Sequence, residues 1–247
     1  MRPRPKGHDT SIPKQGSFFV RINKHMADIG LSSRREADEL IAAGKVSVNG
    51  KKAEMGMRVN PETDKVTLRG KKESLVYYIY NKPIGIVTTG PQGDEEEILD
   101  IVNFPKPVFP VGRLDKDSHG LLLMTNDRRI THRLLDPSFE HEKEYRVTLA
   151  KGITQKFIDR LEHGMIIDGV RTMSTKITRE SDRSFRIILK EGRNRQIRKM
   201  VEAAGDTVVD LLRLRIENIK IGDLATGAFR AAPKAEMAAL LKKLELR

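Results

Sequence analysis

The sequence predicts an α+β chain with a small amino-terminal unit of two helices and a β-hairpin. A larger unit follows, whose mixed, largely antiparallel sheet is flanked by helices. Three observations lead there. Between residues 18 and 44 apolar residues recur at helical spacing and then give way to a hairpin signal. From Leu75 onward, short β-rich runs outnumber helical ones and their connections are brief, which favours antiparallel pairing over alternating parallel units. Between the two lies Arg69-Gly-Lys-Lys-Glu-Ser74, short and polar, read as a linker over 69–74.

Residues 1–17 carry Pro3, Pro5 and Pro13 among Arg2, Arg4, Lys6 and Lys14, with too few apolar side chains to fold alone, and are expected to form a disordered basic arm. The first unit then spans 18–68. Ile22, Met26 and Ile29 share a helical face that Gly30 closes. Ser33 and Glu36 have the spacing of a capping box, Ala37, Leu40 and Ile41 make the buried stripe of a second helix, and Gly44 ends it. In Lys45-Val-Ser-Val-Asn-Gly-Lys-Lys, Asn49-Gly50 marks a primed turn, and Val66-Thr-Leu68 closes a small sheet.

The second unit, 75–247, starts as strand, turn, strand: Leu75–Tyr80, Asn81-Lys-Pro83, then Ile84–Thr89. An acidic loop leads to a short helix near Ile98–Val102. Further helices are expected through Leu135, at Thr154–Glu162 and at Pro233–Leu244, the last with Met237, Leu240 and Leu241 inward. Strands are expected at Lys143–Leu149, Met165–Asp168, Met173–Thr178 and Phe185–Lys190. The six histidines show no metal spacing and read as surface residues.

A net charge of +12 is the footprint of a protein that binds a polyanion, nucleic acid first. Sixteen Lys and Arg against nine Asp and Glu put +7 of it in residues 1–74. The absence of cysteine excludes disulfides, thiolate zinc sites and Cys nucleophiles. With no apolar run near 18 residues and no signal-like leader, the expectation is a soluble, cytoplasmic monomer without a membrane partner. No glycine-rich phosphate loop is present, so no nucleotide cofactor is expected, and no metal.

The chain is organised around residues 109–127, where a turn carrying Asp115 lies between two apolar runs. By itself Asp115 reads as a turn-capping aspartate. Gly112-Arg113-Leu114-Asp115, with Ser118, Gly120, three leucines and Thr125-Asn126-Asp127, resembles the catalytic motif of the pseudouridine synthases that modify bacterial ribosomal RNA. Asn81-Lys-Pro83-x-Gly85 is similar to that family too, and within it Gly112-Arg-Leu-Asp-Lys-Asp-Ser-x-Gly120 and His141-Glu-Lys-Glu-Tyr145 resemble the synthases of F type that act on the large ribosomal subunit. Residues 18–68 resemble the RNA-binding domain first recognised in small-subunit ribosomal protein four, through Arg21-Ile-Asn-Lys24, Ser32-Ser-Arg-Arg-Glu-Ala-Asp38 and Gly44-Lys-Val-x-Val-Asn-Gly50.

The resemblance implies isomerisation of uridine to pseudouridine, with ribosomal RNA, 23S RNA first, as substrate and tRNA as a further RNA partner. It implies Asp115 as the catalytic carboxylate, Tyr145 as the ring stacking on uracil, Arg198 of Gln196-Ile-Arg198 as the arginine paired with Asp115, and Leu211 as the leucine against the base, although Leu212 and Leu214 are equally apolar. Contacts to flanking RNA are expected from Gly112, Arg113, Leu114, Arg193, Asn194, Arg195 and Gln196 in the second unit. In the first unit they are expected from Arg21, Lys24, Ser33, Arg34, Arg35 and Lys45. The aspartate acts either as nucleophile on C1′ or as base on a glycal route. The alternative is a non-catalytic RNA-binding or ribosome-assembly factor on the same fold, or a synthase whose target lies in 16S ribosomal RNA. A zinc deaminase or a nuclease lacks its ligands here.

Overall fold

A computed structural model describes residues 19–69 and 74–246. The arm expected over 1–17 and residues 70–73 of the expected linker lie outside them. The chain divides into two compact units, 1–72 and 73–247.

The first unit runs β1 (Val20–Arg21), α1 (Ile22–Asp28), α2 (Arg34–Ala42), β2 (Val46–Val48), β3 (Lys51–Lys52), β4 (Arg58–Val59) and β5 (Val66–Leu68). The capping box at α2 is complete: Ser33 Oγ accepts from the Glu36 amide at 3.1 Å, and Glu36 Oε2 accepts from the Ser33 amide at 3.1 Å. Asn49 and Gly50 both take positive φ, 49° and 81°, so a two-residue primed turn joins β2 to β3 with Val48 opposite Lys51. Strand β5 pairs with the other edge of β2. Ile22, Met26, Ala37, Ile41, Val46 and Val59 form the core beneath.

The second unit runs β6 (Tyr77–Lys82), α3 (Ile98–Ile101), β7 (Phe109–Val111), β8 (His119–Thr125), α4 (Arg129–Leu135), β9 (Lys143–Leu149), α5 (Gln155–Glu162), β10 (Ile166–Ile167), β11 (Val170–Arg171), β12 (Lys176–Arg179), β13 (Ser184–Leu189), α6 (Gln196–Ala203), β14 (Val208–Ile216), β15 (Ile219–Lys220), β16 (Phe229–Ala231) and α7 (Lys234–Lys243). Nine strands form one sheet in the order β12-β13-β9-β14-β8-β6-β16, with β15 beside β14 and β7 beside β8. Its pairings are antiparallel except at the centre. There β8 and β14 run parallel through only two register pairs, Leu212 with His119 and Arg213 with Gly120.

Three clusters of buried apolar side chains pack against this sheet, and two of them hold its longer helices. Val147, Phe157, Leu161, Phe185, Ile187 and Met200 pack α5 and α6 against β9, β13 and β14. Ile79, Leu121, Leu123, Ile130, Leu134 and Leu240 pack α4 and α7 against β6 and β8. Gly120 is required at the seam between β8 and β14. Its φ is +106°, and a Cβ there would lie 2.5 Å from the Arg213 carbonyl oxygen.

Several expectations are corrected. Residues 84–89 make no strand: Pro83 and Gly85 turn the chain, Ile84 is exposed, and a single bridge at Val87 is all that pairs. The strand expected at Met173–Thr178 is shifted to Lys176–Arg179, because Thr172 and Met173 bond to Met165 and Glu191 instead. Two histidines are not surface residues. His25, within α1, is buried, and His141 is buried with Nδ1 3.2 Å from Glu217 Oε1.

Candidate active site

The loop between β7 and β8 is fixed from several sides. The Ser118 amide donates to the Asp115 carbonyl at 3.0 Å, closing a turn over residues 115–118, and the Gly85 amide donates to the Lys116 carbonyl at 2.8 Å. Thr88 Oγ1 donates to the Leu114 carbonyl at 2.7 Å and accepts from the Leu114 amide at 3.0 Å. Beneath the loop, the fully buried Lys82 donates to the carbonyls of Pro83 (2.9 Å), Ser118 (2.8 Å) and Asp115 (3.2 Å). Burial lowers its pKa to about 8, opposed by Asp115 and Asp117. Beyond β8 the Thr125-Asn126-Asp127 end of the motif is structural: Asn126 Oδ1 accepts from the Val76 amide, and the Asp127 carboxylate accepts from the Tyr77 hydroxyl and Arg129.

Asp115 is about one-third exposed, and its Oδ2 lies 3.8 Å from Arg195 Nη1. Arg195 itself is bidentate on Asp117, at 3.0 and 2.7 Å, which holds the Asp117 carboxyl below its usual range. It sits at the N-cap of α6 with φ of 51°, a left-handed conformation uncommon outside glycine and asparagine. Arg198, one turn into α6, donates from Nη2 to the Asp117 carbonyl at 2.7 Å and to Ser118 Oγ at 3.3 Å, and from Nη1 to the Val208 carbonyl at 3.3 Å. Its Nε stands 3.2 Å from Asp117 Oδ2 without hydrogen-bond alignment. The pairing expected between Arg198 and Asp115 is therefore replaced: the turn directs Asp117 to both arginines and leaves Asp115 facing Arg195.

Asp115, Ser118 and Arg195 line a cleft of about 420 Å³ at the seam of the sheet. Gly112, Arg113, Leu114, Asp115 and Ser118 form one wall, and the loop from Glu191 to Ile197 the other. Lys143, Tyr145, Leu211 and Arg213 rise from the adjacent strands β9 and β14. The volume is within the range of small-molecule pockets.

Residues 76–203 match the family model described as RNA pseudouridylate synthase, and residues 20–65 match the S4 domain model. The chain belongs to the RNA pseudouridylate synthase family. Within it, the synthase is 42% identical over 232 residues to the dual-specificity RNA pseudouridine synthase RluF of Escherichia coli K12, covering 92% of this chain and 80% of that one. It is 35% identical to ribosomal large subunit pseudouridine synthase B of Bacillus subtilis, over 85% of this chain and 91% of that one. A solved structure, "Crystal structure of pseudouridylate synthase", superposes with a TM-score of 0.67 at 28% identity, covering 91% of this chain and 99% of the other.

In this synthase Asp115, Tyr145 and Leu211 converge on one cleft from three separate segments, and Arg113, Arg193, Asn194 and Arg195 lie at its walls. Gln196 is not free for RNA. It is buried, its Nε2 donating to Glu191 Oε1 at 2.7 Å and its Oε1 accepting from the Arg193 amide at 3.1 Å, so it braces the loop. Ser33 likewise uses its hydroxyl as the α2 cap. Arg21, Lys24, Arg34, Arg35 and Lys45 are all exposed, and none forms an ion pair among the described residues. Sequence reasoning passed over Lys82, Thr88, Lys143 and Arg213. The available signal was a cation inside a β-pattern: Lys82 follows the apolar run Val76–Tyr80, and Arg213 sits between leucines where alternation turns it inward.

Proposed function

We propose that this synthase isomerises uridine to pseudouridine in ribosomal RNA of the large subunit, with Asp115 as the catalytic carboxylate. One observation carries the reading: Asp115 is the partly exposed carboxylate of a cleft whose lining also holds the Tyr145 ring and the cations Arg113, Lys143, Arg193, Arg195 and Arg213, on a loop immobilised by Lys82 and Thr88. The reaction breaks the bond from ribose C1′ to uracil N1 and joins C1′ to C5, so it needs neither redox partner nor metal. Asp115 serves as nucleophile on C1′ or as base at C2′. Tyr145 stacks on the flipped base, whose unstacking costs a few kcal/mol, and Leu211 packs against its edge. Arg113, Arg193 and Arg195 bind the flanking backbone. The exposed cations of the S4 unit hold the surrounding RNA.

Among the described residues no helix is long and apolar enough to cross a membrane. We place the enzyme in the cytoplasm as a monomer. Because the Escherichia coli relative is named for dual specificity, we extend the substrate range to a second RNA, tRNA. The test is tritium release from RNA labelled at uridine C5, comparing unmodified 23S ribosomal RNA, 16S ribosomal RNA and tRNA. Wild type is expected to release tritium from 23S RNA and, to a lesser extent, from tRNA, while Asp115→Asn releases none. Release by both proteins would remove Asp115 from the mechanism, and release from 16S RNA alone would move the target to the small subunit. Tight RNA binding without release would leave an assembly factor.

A further inference from the structure

Two cations at the bottom of the cleft are not used by the chemistry assigned to Asp115. Lys143 is 8% exposed and Arg213 is 3% exposed, yet both line the cleft. Strand pairing brings them there: Lys143 and Tyr145 are two apart on β9 and share a face, and Arg213 of β14 is the register partner of Tyr145. Among the described residues Lys143 donates to one group, the His141 carbonyl at 3.2 Å, although an ammonium has three donors. Arg213 spends Nε on the Leu121 carbonyl at 2.7 Å and Nη1 on the Arg113 carbonyl at 3.4 Å, while its buried Nη2 has no partner among the described residues.

The charges are also unbalanced. Burial lowers the pKa of Lys143, and the neighbouring Arg213 charge lowers it further. Glu217 opposes this, but its oxygens are committed to the Glu142 amide, His141 and Lys243. Buried cations held together without a carboxylate of their own are costly unless something anionic joins them. Removing a donor that is aimed at developing charge typically costs about 10²- to 10³-fold in rate.

We infer that Lys143 and Arg213 form a cationic floor that holds the uracil ring as an anion while it is detached from the ribose. The inference rests on the isomerisation proposed above. When the C1′–N1 bond breaks heterolytically, its electron pair stays on N1 and spreads to O2 and O4, so the free ring carries one negative charge. C1′ is meanwhile taken by the Asp115 carboxylate, or the C2′ proton passes to Asp115 and later returns. C5 then bonds to C1′, the C5 proton leaves to water, and N1 takes up a proton, which completes an isomerisation without an outside reagent. The depth of the two cations suits a flipped base. A backbone phosphate is met at the rim, where Arg193 and Arg195 are more exposed.

The test uses the full chain and two free rings of similar shape, uracil, which is neutral at pH 7.5, and barbiturate, which is ionised there. Calorimetric titration is expected to give wild type at least tenfold tighter binding of barbiturate. Lys143→Gln should abolish that preference and slow single-turnover isomerisation about hundredfold, with RNA affinity within twofold of wild type. Lys143→Arg should restore the preference. Equal binding of the two rings by wild type overturns the inference, and so does a wild-type rate in Lys143→Gln. Should Lys143→Gln fail to fold, the wild-type ring preference decides the matter. Tritium release by wild type reports the isomerisation separately, so failure of that reading shows there and not in the ring comparison.

Discussion

At Arg198 the guanidinium has four oxygen neighbours, and none belongs to Asp115. Its work is to hold the carbonyl of Asp117 and the hydroxyl of Ser118, so it acts on the loop geometry that aims Asp115. Truncation to Arg198→Met leaves these acceptors unpaired at a cost of about 1–3 kcal/mol. The expected result is a lower denaturation midpoint together with at least a tenfold fall in single-turnover rate, at unchanged RNA affinity. A rate effect without any change in stability would instead put Arg198 on the substrate. Sequence spacing does place Arg195 and Arg198 on one helix face, but Asp115 and Asp117 stand two residues apart in a turn. Which of them meets the arginines depends on the turn bond from Ser118 to Asp115, and no spacing rule encodes that.

Among the elements, β6 ends in the feature that supports the site. Lys82 at its last position replaces water with three carbonyl oxygens, and burial depresses its pKa to about 8 from the ordinary lysine value of 10.5. Between those values the unfolded chain binds a proton that the folded chain has released, so this group makes stability rise with pH. Lys82→Met is expected to flatten the wild-type stability profile across that window. It should also lower the midpoint at pH 7, where three carbonyls lose a charged donor. Guanidinium titrations at several pH values would check both. Elements dictated by neighbouring residues were legible beforehand: the capping box of α2, the Asn49-Gly50 turn and the fully apolar core of β8. The parallel contact of β8 with β14 was not, since some ninety residues separate its partners. Residues 84–89 carry strand-forming side chains, yet Pro83 and Gly85 impose a turn that outweighs them.

For the whole molecule, charge was the clearest message, and its concentration in residues 1–74 agrees with the exposed, unpaired cations of the S4 unit. Arg34 and Arg35 lie in the first turn of α2, where cations oppose the helix dipole and phosphate would relieve them. Exchanging both for glutamate is expected to weaken RNA binding and to reduce the slope of log affinity against log salt by about 2, as for two lost phosphate contacts. At saturating RNA the rate should hold. An unchanged slope would move the RNA face elsewhere on the unit. The central seam also sets an order of events during synthesis. The S4 unit closes on itself by Leu68, whereas Asp115 waits for Arg195, Leu211 and Arg213 before a cleft exists. At translation rates of about 5–20 residues per second, roughly 5–20 s separate the aspartate from its last partners. A nascent chain therefore has its RNA-binding surface well before it has its chemistry, and a growing synthase beside ribosomal RNA is inert until β14 emerges and is threaded between β8 and β9.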